Sequence, residues 1–204
     1  MGRRDHWQSV YTGKSPEDVT WYQSSPAASL ALIRRVSPGP DVALIDVGGG
    51  ASTLVDHLLD EGYGHVEVLD IADQALAGSR ERLAGQADAV TWTVADITRW
   101  QPGRTYDIWH DRAVFHFLAD ENDRQAYIVA LKNALELTGH LVIATFAMDG
   151  PEKCSGLPVV RYDAGKLVET LGAGFSLIEQ LDEAHVTPGG GTQAFSYFLL
   201  RRDL

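Results

Sequence analysis

The feature that most constrains the fold is DVALIDVGGGAS at residues 41–52, an apolar run that includes Asp46 and passes directly into consecutive glycines. Such a run predicts a strand at 41–47 that is buried on both faces of a parallel sheet. Glycine directly after it lets the backbone turn sharply and lets a ligand approach without meeting a Cβ atom. Because open α/β sheets bind ligands beyond the carboxyl ends of their strands, this stretch predicts an α/β fold with a ligand loop at 48–52.

The rest of the chain alternates between short strand-like runs and longer helical segments, which indicates a parallel sheet covered by helices. Strands are expected at 41–47, 65–71, 89–97, 106–110 and 140–147, and helices at 52–64, 73–85, 120–140 and 164–174. The second and third of these helices are expected to end at Gly85 and Gly139. Segments 175–186 and 192–202 flank TPGGG and predict a β-hairpin. A plain dinucleotide-binding half would continue with further βα units instead.

The composition indicates one globular domain. With 204 residues the chain can bury a substantial core, and we expect a single domain at 1–204, with an N-terminal segment at 1–25 before a core at 26–204. The net charge of −11 argues against a nucleic-acid partner, which needs clustered Lys and Arg. No apolar stretch approaches the roughly 20 residues of a membrane span. A single cysteine, Cys154, and the lack of a secretory signal make a reducing cytoplasm the expected location, and no Cys/His spacing predicts a metal site.

Two further aspartates end predicted strands. A carboxylate at the position of Asp70 accepts hydrogen bonds from both hydroxyls of a ribose, which selects an adenosine-type ligand. Asp96, beside apolar Ile97, is suited to receive an adenine amino group. The alternative is that these aspartates only cap strand-to-helix loops. The dinucleotide pattern G-x-G-x-x-G is incomplete because position 53 is Thr, which weakens a nicotinamide-cofactor hypothesis.

The motifs ALIDVGGGAS, VLDI, VADI and YDIWHDRAVFHFL, followed by a helix, a strong strand and a terminal hairpin, resemble those of class I S-adenosylmethionine-dependent methyltransferases. The resemblance extends over nearly the whole chain. It implies an α/β, Rossmann-like, doubly wound seven-stranded sheet that is mostly parallel, with an antiparallel strand in the C-terminal hairpin. It also implies S-adenosylmethionine as the cofactor. The family's glycine motif is matched at Asp46, Gly48 and Gly50, with Ser52 in place of the last glycine.

The resemblance further implies where the cofactor lies. The loop glycines would pass close to its methionine and ribose parts, the end of the second strand would bind the ribose, and the end of the third strand would bind the adenine. Asp46 would act near the methionine ammonium. The residues concerned are Asp46, Gly48, Gly49, Gly50, Asp70, Ile71, Asp96 and Ile97.

The segment WHDRAVFHFL at 109–118 follows the fourth strand, which in such enzymes faces the methyl group. It carries the catalytic candidates His110, Asp111 and Arg112 where apolar residues would otherwise continue. Methyl transfer depends mainly on alignment and desolvation, and a base is needed only if the nucleophile arrives protonated. His110 is therefore a candidate base or a cofactor contact, or else a strand-end histidine held in a loop.

The segment at 6–26 is rich in aromatic residues but lacks helical or strand periodicity. The resemblance implies that such a segment folds over the cofactor. Trp7 and Tyr11 are then candidates for contact with the sulfonium through their ring faces. The alternative is that these aromatic side chains only anchor the N-terminus to the core.

The leading functional hypothesis is methyl transfer to a small-molecule nucleophile such as a thiol or an amine. DR at 111–112 is similar to the motif of thiopurine and thiol methyltransferases. DRAVF is similar to the motif of lysine methyltransferases that act on translation elongation factors, and an acidic chain can steer a basic partner. A protein amine acceptor is therefore the second hypothesis, and a catalytically silent S-adenosylmethionine-binding regulatory protein is the third.

Overall fold

The computed structural model describes residues 2–13 and 15–204, so that Met1 and Lys14 of the segment at 1–25 lie outside the described residues. Most of the chain forms one seven-stranded sheet with the order β3-β2-β1-β4-β5-β9-β8, and β6 and β7 form a separate two-stranded hairpin. The strands are β1 (Leu44–Val47), β2 (Val66–Asp70), β3 (Val90–Val94), β4 (Tyr106–Arg112), β5 (Leu135–Phe146), β6 (Lys153–Cys154), β7 (Leu157–Pro158), β8 (Phe175–Val186) and β9 (Thr192–Arg202).

The pairing of the strands confirms the predicted sheet. Strands β1 to β5 pair in parallel, whereas β9 runs antiparallel to both of its neighbours, β5 and β8. Strand β1 lies between β2 and β4, so the chain reverses its direction of travel across the sheet at this point. A crevice therefore opens between the carboxyl ends of β1 and β4, and ligands of doubly wound folds bind in such a crevice.

Helices cover both faces of the sheet. They are α1 (Arg3–Gly13), α2 (Ala27–Val36), α3 (Leu54–Asp60), α4 (Asp73–Leu83), α5 (Glu121–Ala134) and α6 (Ala164–Leu171). Buried side chains of α2, α3 and α4 form one apolar cluster with the sheet, and those of α5 and α6 form a second cluster on the opposite face. In the described part of the chain, no helix is long and apolar enough to cross a bilayer.

The boundary between α5 and β5 differs from the prediction of a helix at 120–140. The helix ends at Ala134, and Gly139 lies inside β5. Between the pairs Tyr106–Leu135 and Ile108–His140 the register shifts, so β5 holds extra residues in a bulge there. A Cβ atom on Gly139 would lie 2.8 Å from a backbone oxygen of β5. This glycine therefore permits a bulge, a role that glycine also has in strands.

Three other segments also differ from the predictions. Helix α4 ends at Leu83, before the predicted Gly85, because Ala84 takes φ +48° and begins a 3-10 turn. The third strand ends at Val94, so Asp96 lies in the loop beyond it. The N-terminal segment, predicted to be irregular, contains α1, which has no buried residues. Because α1 contacts the core through only a few aromatic rings, its sequence has no regular apolar stripe.

Candidate active site

The glycine loop after β1 requires glycine for steric reasons. Gly48 takes φ +72°, and a Cβ atom there would lie 2.0 Å from Cγ2 of Val114. A Cβ atom on Gly50 would lie 2.5 Å from Oδ2 of Asp70, whose carboxylate accepts a hydrogen bond from the Gly50 amide at 3.1 Å. The loop therefore holds its backbone against β2 and β4 and leaves a concave surface free of side chains. Ser52 accepts the amide of Leu54 at 3.0 Å, one residue before Thr53, which is the N-cap of α3.

Asp70 at the end of β2 is buried and lies on the floor of this surface. Its second oxygen, Oδ1, accepts the amide of Ala72 at 2.8 Å. Burial raises the pKa of Asp70 to about 6, although the backbone donors at Ala72 and Gly50 act in the opposite direction. Each carboxylate oxygen has a further lone pair. Asp70 can therefore accept additional hydrogen bonds from a ligand in the crevice.

Asp96 lies in the loop after β3 and is paired with α1. Its carboxylate accepts Nη1 of Arg3 at 3.2 Å and the amide of Thr98 at 3.0 Å. The other amino group of the same arginine, Nη2, donates to Asp123 of α5. Arg3 thus ties α1 to both sides of the crevice, and the adjacent Ile97 is buried.

Asp46 belongs to a buried polar chain beneath the glycine loop. Its Oδ1 lies 2.7 Å from Nδ1 of His110, whose Nε2 lies 2.8 Å from the hydroxyl of Ser29 in α2. A carboxylate only accepts, so Nδ1 carries a proton, and Nε2 of the neutral ring accepts from the serine. The second oxygen of Asp46, Oδ2, is buried and has no hydrogen-bond partner among the residues that the structure describes. An unpaired carboxylate oxygen of this kind requires a donor, which a ligand ammonium would supply.

The two residues that follow His110 on β4, Asp111 and Arg112, face different parts of the structure. The carboxylate of Asp111 is on the other face of the sheet, where it accepts the hydroxyl of Tyr127 at 2.6 Å and the amide of Val114 at 2.9 Å. Burial raises its pKa to about 6. The next residue, Arg112, turns toward the crevice, and its guanidinium lies over the ring of Phe195 at 4.5 Å.

Two neighbouring cavities occupy the crevice. The larger extends from Asp96 and Asp70 to an aromatic end and holds about 800 Å³ of space, which includes its opening to solvent. The smaller, about 470 Å³, lies beside Asp46 and the first turn of α3. The residues that line both cavities are Tyr11, Trp21, Gly48 and Arg112.

Most of the predicted site residues line these cavities. Besides the shared residues, the larger cavity contains the predicted Trp7, Asp70, Ile71, Asp96 and Ile97. The smaller contains the predicted Asp46, Gly49 and His110. Gly50 and Asp111 line neither cavity, since Gly50 faces Asp70 and Asp111 lies on the opposite face of the sheet.

Trp7, which was predicted to contact the cofactor, lies at the aromatic end of the larger cavity with Phe117 and Phe195, which were not predicted. Trp7 packs edge-on against Trp21 and Phe117, with ring centroids 5.8 and 4.9 Å apart. Phe195 and Cys154 complete this end. Phe195 pairs with Phe146 across the sheet, because the antiparallel β9 begins where the parallel strand β5 ends. The predicted hairpin contained this signal, since the first residues of such a strand lie at the carboxyl edge of the sheet.

Within the described residues, no group of three or more His, Cys, Asp or Glu side chains is arranged to hold a metal ion.

Comparison with known proteins identifies the fold. The model of the methyltransferase domain matches residues 45–141. The eEF1A lysine and N-terminal methyltransferase of Bos taurus is 23% identical over 126 residues, which are 61% of this chain and 18% of that protein. The match thus spans less than a fifth of this relative.

Solved structures resemble nearly the whole chain. A SAM-dependent methyltransferase from Anabaena variabilis ATCC 29413 is 15% identical with a TM-score of 0.78, over 99% of this chain and 96% of that one. The N-methyltransferase NodS from Bradyrhizobium japonicum WM9, in complex with S-adenosyl-L-homocysteine, is 15% identical with a TM-score of 0.73, over 98% and 99%.

The geometry of the crevice fits the same class of ligand. The glycine loop leaves no room for a Cβ atom at Gly48, and the unpaired Oδ2 of Asp46 and the carboxylate of Asp70 belong to two neighbouring cavities that share four lining residues. The match to the methyltransferase domain covers residues 45–141, a little under half of the chain, and the solved structures share the fold over almost its whole length.

Proposed function

We propose that the chain transfers the methyl group of S-adenosylmethionine to a small-molecule nucleophile. The observation that carries this proposal is the position of α1 over the larger cavity. Helix α1 covers it, with Arg3, Trp7 and Tyr11 in the lining, and the far end is closed by aromatic side chains. Such a space suits a cofactor and a small acceptor, whereas a folded protein surface would need an open approach to the reacting atom.

The residues of the chain provide contacts for each part of the cofactor. Asp70 would accept the ribose hydroxyls, and Asp96 with Ile97 would receive the adenine. The unpaired Oδ2 of Asp46 would accept the methionine ammonium, and the backbone of Gly48 would lie against the chain that links methionine to ribose. With its ends held by Asp46 and Asp96, the cofactor would have its middle part beside Tyr11 and Arg112, which line both cavities.

When bound, the cofactor supplies an electrophilic methyl group on a sulfonium. The chain then contributes alignment and the exclusion of water, which account for much of the acceleration of such a displacement. His110 acts as a positioning residue in this proposal, because both of its ring nitrogens are engaged, by Asp46 and by Ser29. Asp111 likewise positions the β4 turn through the Val114 and Phe115 amides.

A labelling experiment tests the acceptor class. Purified protein is incubated with tritium-methyl S-adenosylmethionine and a cell lysate, and label is then measured separately in the protein and small-molecule fractions. We expect label in the small-molecule fraction and less of it with an Asp70→Ala variant, and lysate without the protein serves as the background control. Transfer of label to neither fraction, with cofactor binding intact by calorimetry, would support the cofactor-binding regulatory hypothesis instead.

A protein amine acceptor is the second candidate. Two observations favour it: the net charge of −11, which attracts basic surfaces, and the similarity to a bovine lysine and N-terminal methyltransferase. Label on discrete protein bands in the same experiment, resistant to removal of small molecules, would select this candidate over the leading one.

A further inference from the structure

Arg112 is a cation whose side chain is 11% exposed and which has an unused donor group. Its Nε donates to the hydroxyl of Tyr197 at 2.8 Å, and its Nη1 donates to the carbonyl of Trp21 at 2.9 Å. Its Nη2 is buried and makes no hydrogen bond within the part of the chain that the structure describes. The nearest carboxylate oxygen, in Glu183, is 4.0 Å away, and that carboxylate already accepts Gln23 and Tyr197. A buried donor of this kind calls for an acceptor.

The groups around Arg112 include no free base. The Cys154 thiol lies in the same cavity, and burial raises its pKa to about 11. Desolvation of the Tyr11 phenol raises its pKa well above its ordinary value. On the elements behind the cavity, burial lowers the pKa of His116 to about 3 and lowers the pKa of His185.

The remaining groups near Arg112 are also committed. Burial raises the pKa of Tyr197 to about 12, and its hydroxyl donates to Glu183. The imidazole of His110 is held at both nitrogens. Of the side chains that face Arg112 in the described structure, the carboxylate of Glu183 remains as a proton acceptor, and it already accepts hydrogen bonds from Gln23 and Tyr197.

The walls at this end of the cavity are apolar and polarizable. They consist of the rings of Trp21, Phe117 and Phe195 and the sulfur of Cys154. Such walls cannot replace the hydration of a small, hard oxyanion, whereas sulfur contacts aromatic rings favourably. The ligand that fits these walls is an anion whose removal from water costs little free energy and which binds next to one guanidinium.

From this geometry we propose that the acceptor is a small apolar thiol, which binds as its thiolate at the Nη2 group of Arg112. The proposal rests on the proposed function and names the acceptor class of that same site. The positive charge of Arg112 favours the ionised form. It disfavours an amine acceptor, because methylation of an amine would move the positive charge of the sulfonium onto the nitrogen beside the guanidinium.

The reaction balances without a base in the protein. The thiol loses its proton to bulk water before or during binding. The thiolate sulfur then forms a bond to the methyl carbon while the bond from that carbon to the cofactor sulfur breaks. The electron pair of the broken bond stays on the cofactor sulfur. The products are a neutral thioether and S-adenosylhomocysteine, so one negative and one positive charge disappear together.

A matched acceptor panel tests the proposal. Thiophenol, phenol and aniline share one ring and differ only in the nucleophilic atom, as do benzyl mercaptan, benzyl alcohol and benzylamine. Formation of S-adenosylhomocysteine is measured with each at pH 7.5, roughly the condition under which an aromatic thiol is ionised. We expect turnover with the thiols and at least a 100-fold lower kcat/KM with the oxygen and nitrogen analogues.

The outcomes separate this proposal from the proposed function. Turnover of amines or phenols in preference to thiols overturns the thiolate proposal and leaves the methyltransferase function intact. Tight cofactor binding with no turnover of any thiol also overturns it. Failure to bind S-adenosylhomocysteine at all, measured by calorimetry, contradicts the proposed function itself.

Variants at Arg112 provide a second test. Arg112→Gln removes the charge, and we expect kcat/KM for thiophenol to fall roughly 10- to 150-fold, the range for a hydrogen bond to a charged group. The affinity for S-adenosylhomocysteine is measured alongside and reports whether the variant folds. If that variant does not fold, Arg112→Lys, which keeps the charge, is compared across the panel. Arg201→Gln at an exposed position serves as the control.

The pH profile distinguishes a binding role from a structural one. For ring-substituted thiophenols of different acidity, the midpoint of log kcat/KM against pH should follow the pKa of each free thiol. The midpoint of log kcat, which reports the bound complex, should lie below that pKa in the unaltered protein and should move toward it in the Arg112→Gln variant. A midpoint that stays fixed for every thiol would identify a titrating protein group and would contradict the proposal.

Discussion

Replacement of Asp70 by alanine tests the cofactor site most directly. The carboxylate is 5% exposed, accepts the amides of Gly50 and Ala72, and has lone pairs left that face the larger cavity. Loss of a hydrogen bond to a charged group costs about 1.5–3 kcal/mol. We therefore expect the dissociation constant for S-adenosylhomocysteine to rise about 10- to 150-fold.

The assay must separate ligand contacts from loop stability. Isothermal titration with adenosine and with 2′,3′-dideoxyadenosine isolates the ribose hydroxyls, since the two ligands share the adenine. The unaltered protein should prefer adenosine, and Asp70→Ala should lose that preference. Asp73→Ala, at an exposed position three residues along the chain, is the matched control and should retain it.

The variant will also lose the backbone contacts of the glycine loop, so its free energy of unfolding is measured in urea. If Asp70→Ala folds and still prefers adenosine by the same factor as the unaltered protein, the carboxylate serves only as a loop cap. The assignment of the ribose site would then be wrong.

Three further results are expected. Gly48→Ala places a methyl group at φ +72° and 2.0 Å from a neighbouring side chain, so the free energy of unfolding in urea should fall by about 1–3 kcal/mol; Gly78→Ala in α4, with nothing within 4 Å, should not be destabilised. Arg3→Gln removes two partly exposed ion pairs, which together contribute about 1 kcal/mol. Stopped-flow fluorescence should therefore show S-adenosylhomocysteine leaving about fivefold faster. Arg34→Gln is the control, and equal rates for the two variants would contradict a role of Arg3 in holding α1 over the cavity. Cofactor affinity, titrated between pH 5 and 8, should weaken as the pH falls through about 6, the raised pKa of Asp70, because the protonated carboxyl loses acceptor capacity; an affinity that is flat over this range would exclude Asp70 as a contact.

The raised pKa of Asp70 also has a consequence for stability, with the opposite sign. A carboxyl whose pKa is higher in the folded state than its ordinary 3.8 favours folding while it is protonated. That contribution is complete below about pH 4 and is lost as the pH rises through about 6. The free energy that this group adds to folding is therefore smaller at pH 7 than at pH 4, while the affinity for cofactor is larger.

The sequence was most informative where the role of a residue depends only on its neighbours along the chain. The run of apolar residues around Leu44 and the glycines after it have few alternatives, because the strand is buried on both faces and the loop has no room for a Cβ atom. The positions of β1, β2 and the terminal hairpin could therefore be predicted. The end of α5 could not, because Gly139 allows a bulge in a strand as readily as it ends a helix.

The site followed the same pattern. Asp70 and Asp96 were predicted as ligand contacts because the carboxyl ends of parallel strands share one edge. The contact of Arg3 with Asp96 joins residues 93 positions apart, and no local spacing in the sequence encodes it. Phe195 lies beside Arg112, 83 residues earlier, and only the predicted hairpin indicated its place at this edge. His110 and Asp111 are adjacent in the chain but lie on opposite faces of the sheet because side chains alternate along a strand, so their adjacency overstated their chemical partnership.

Helix α1 contacts both ends of the larger cavity, through Arg3 at Asp96 and through Trp7 at Phe117. Displacement of this one helix would open the cofactor end and the acceptor end of the cavity together. Exchange of the two ligands should then share a single rate constant, and turnover under saturation should report the opening of α1 rather than the breaking of a bond. In such an enzyme, solvent viscosity would slow the reaction more than a heavier methyl isotope would.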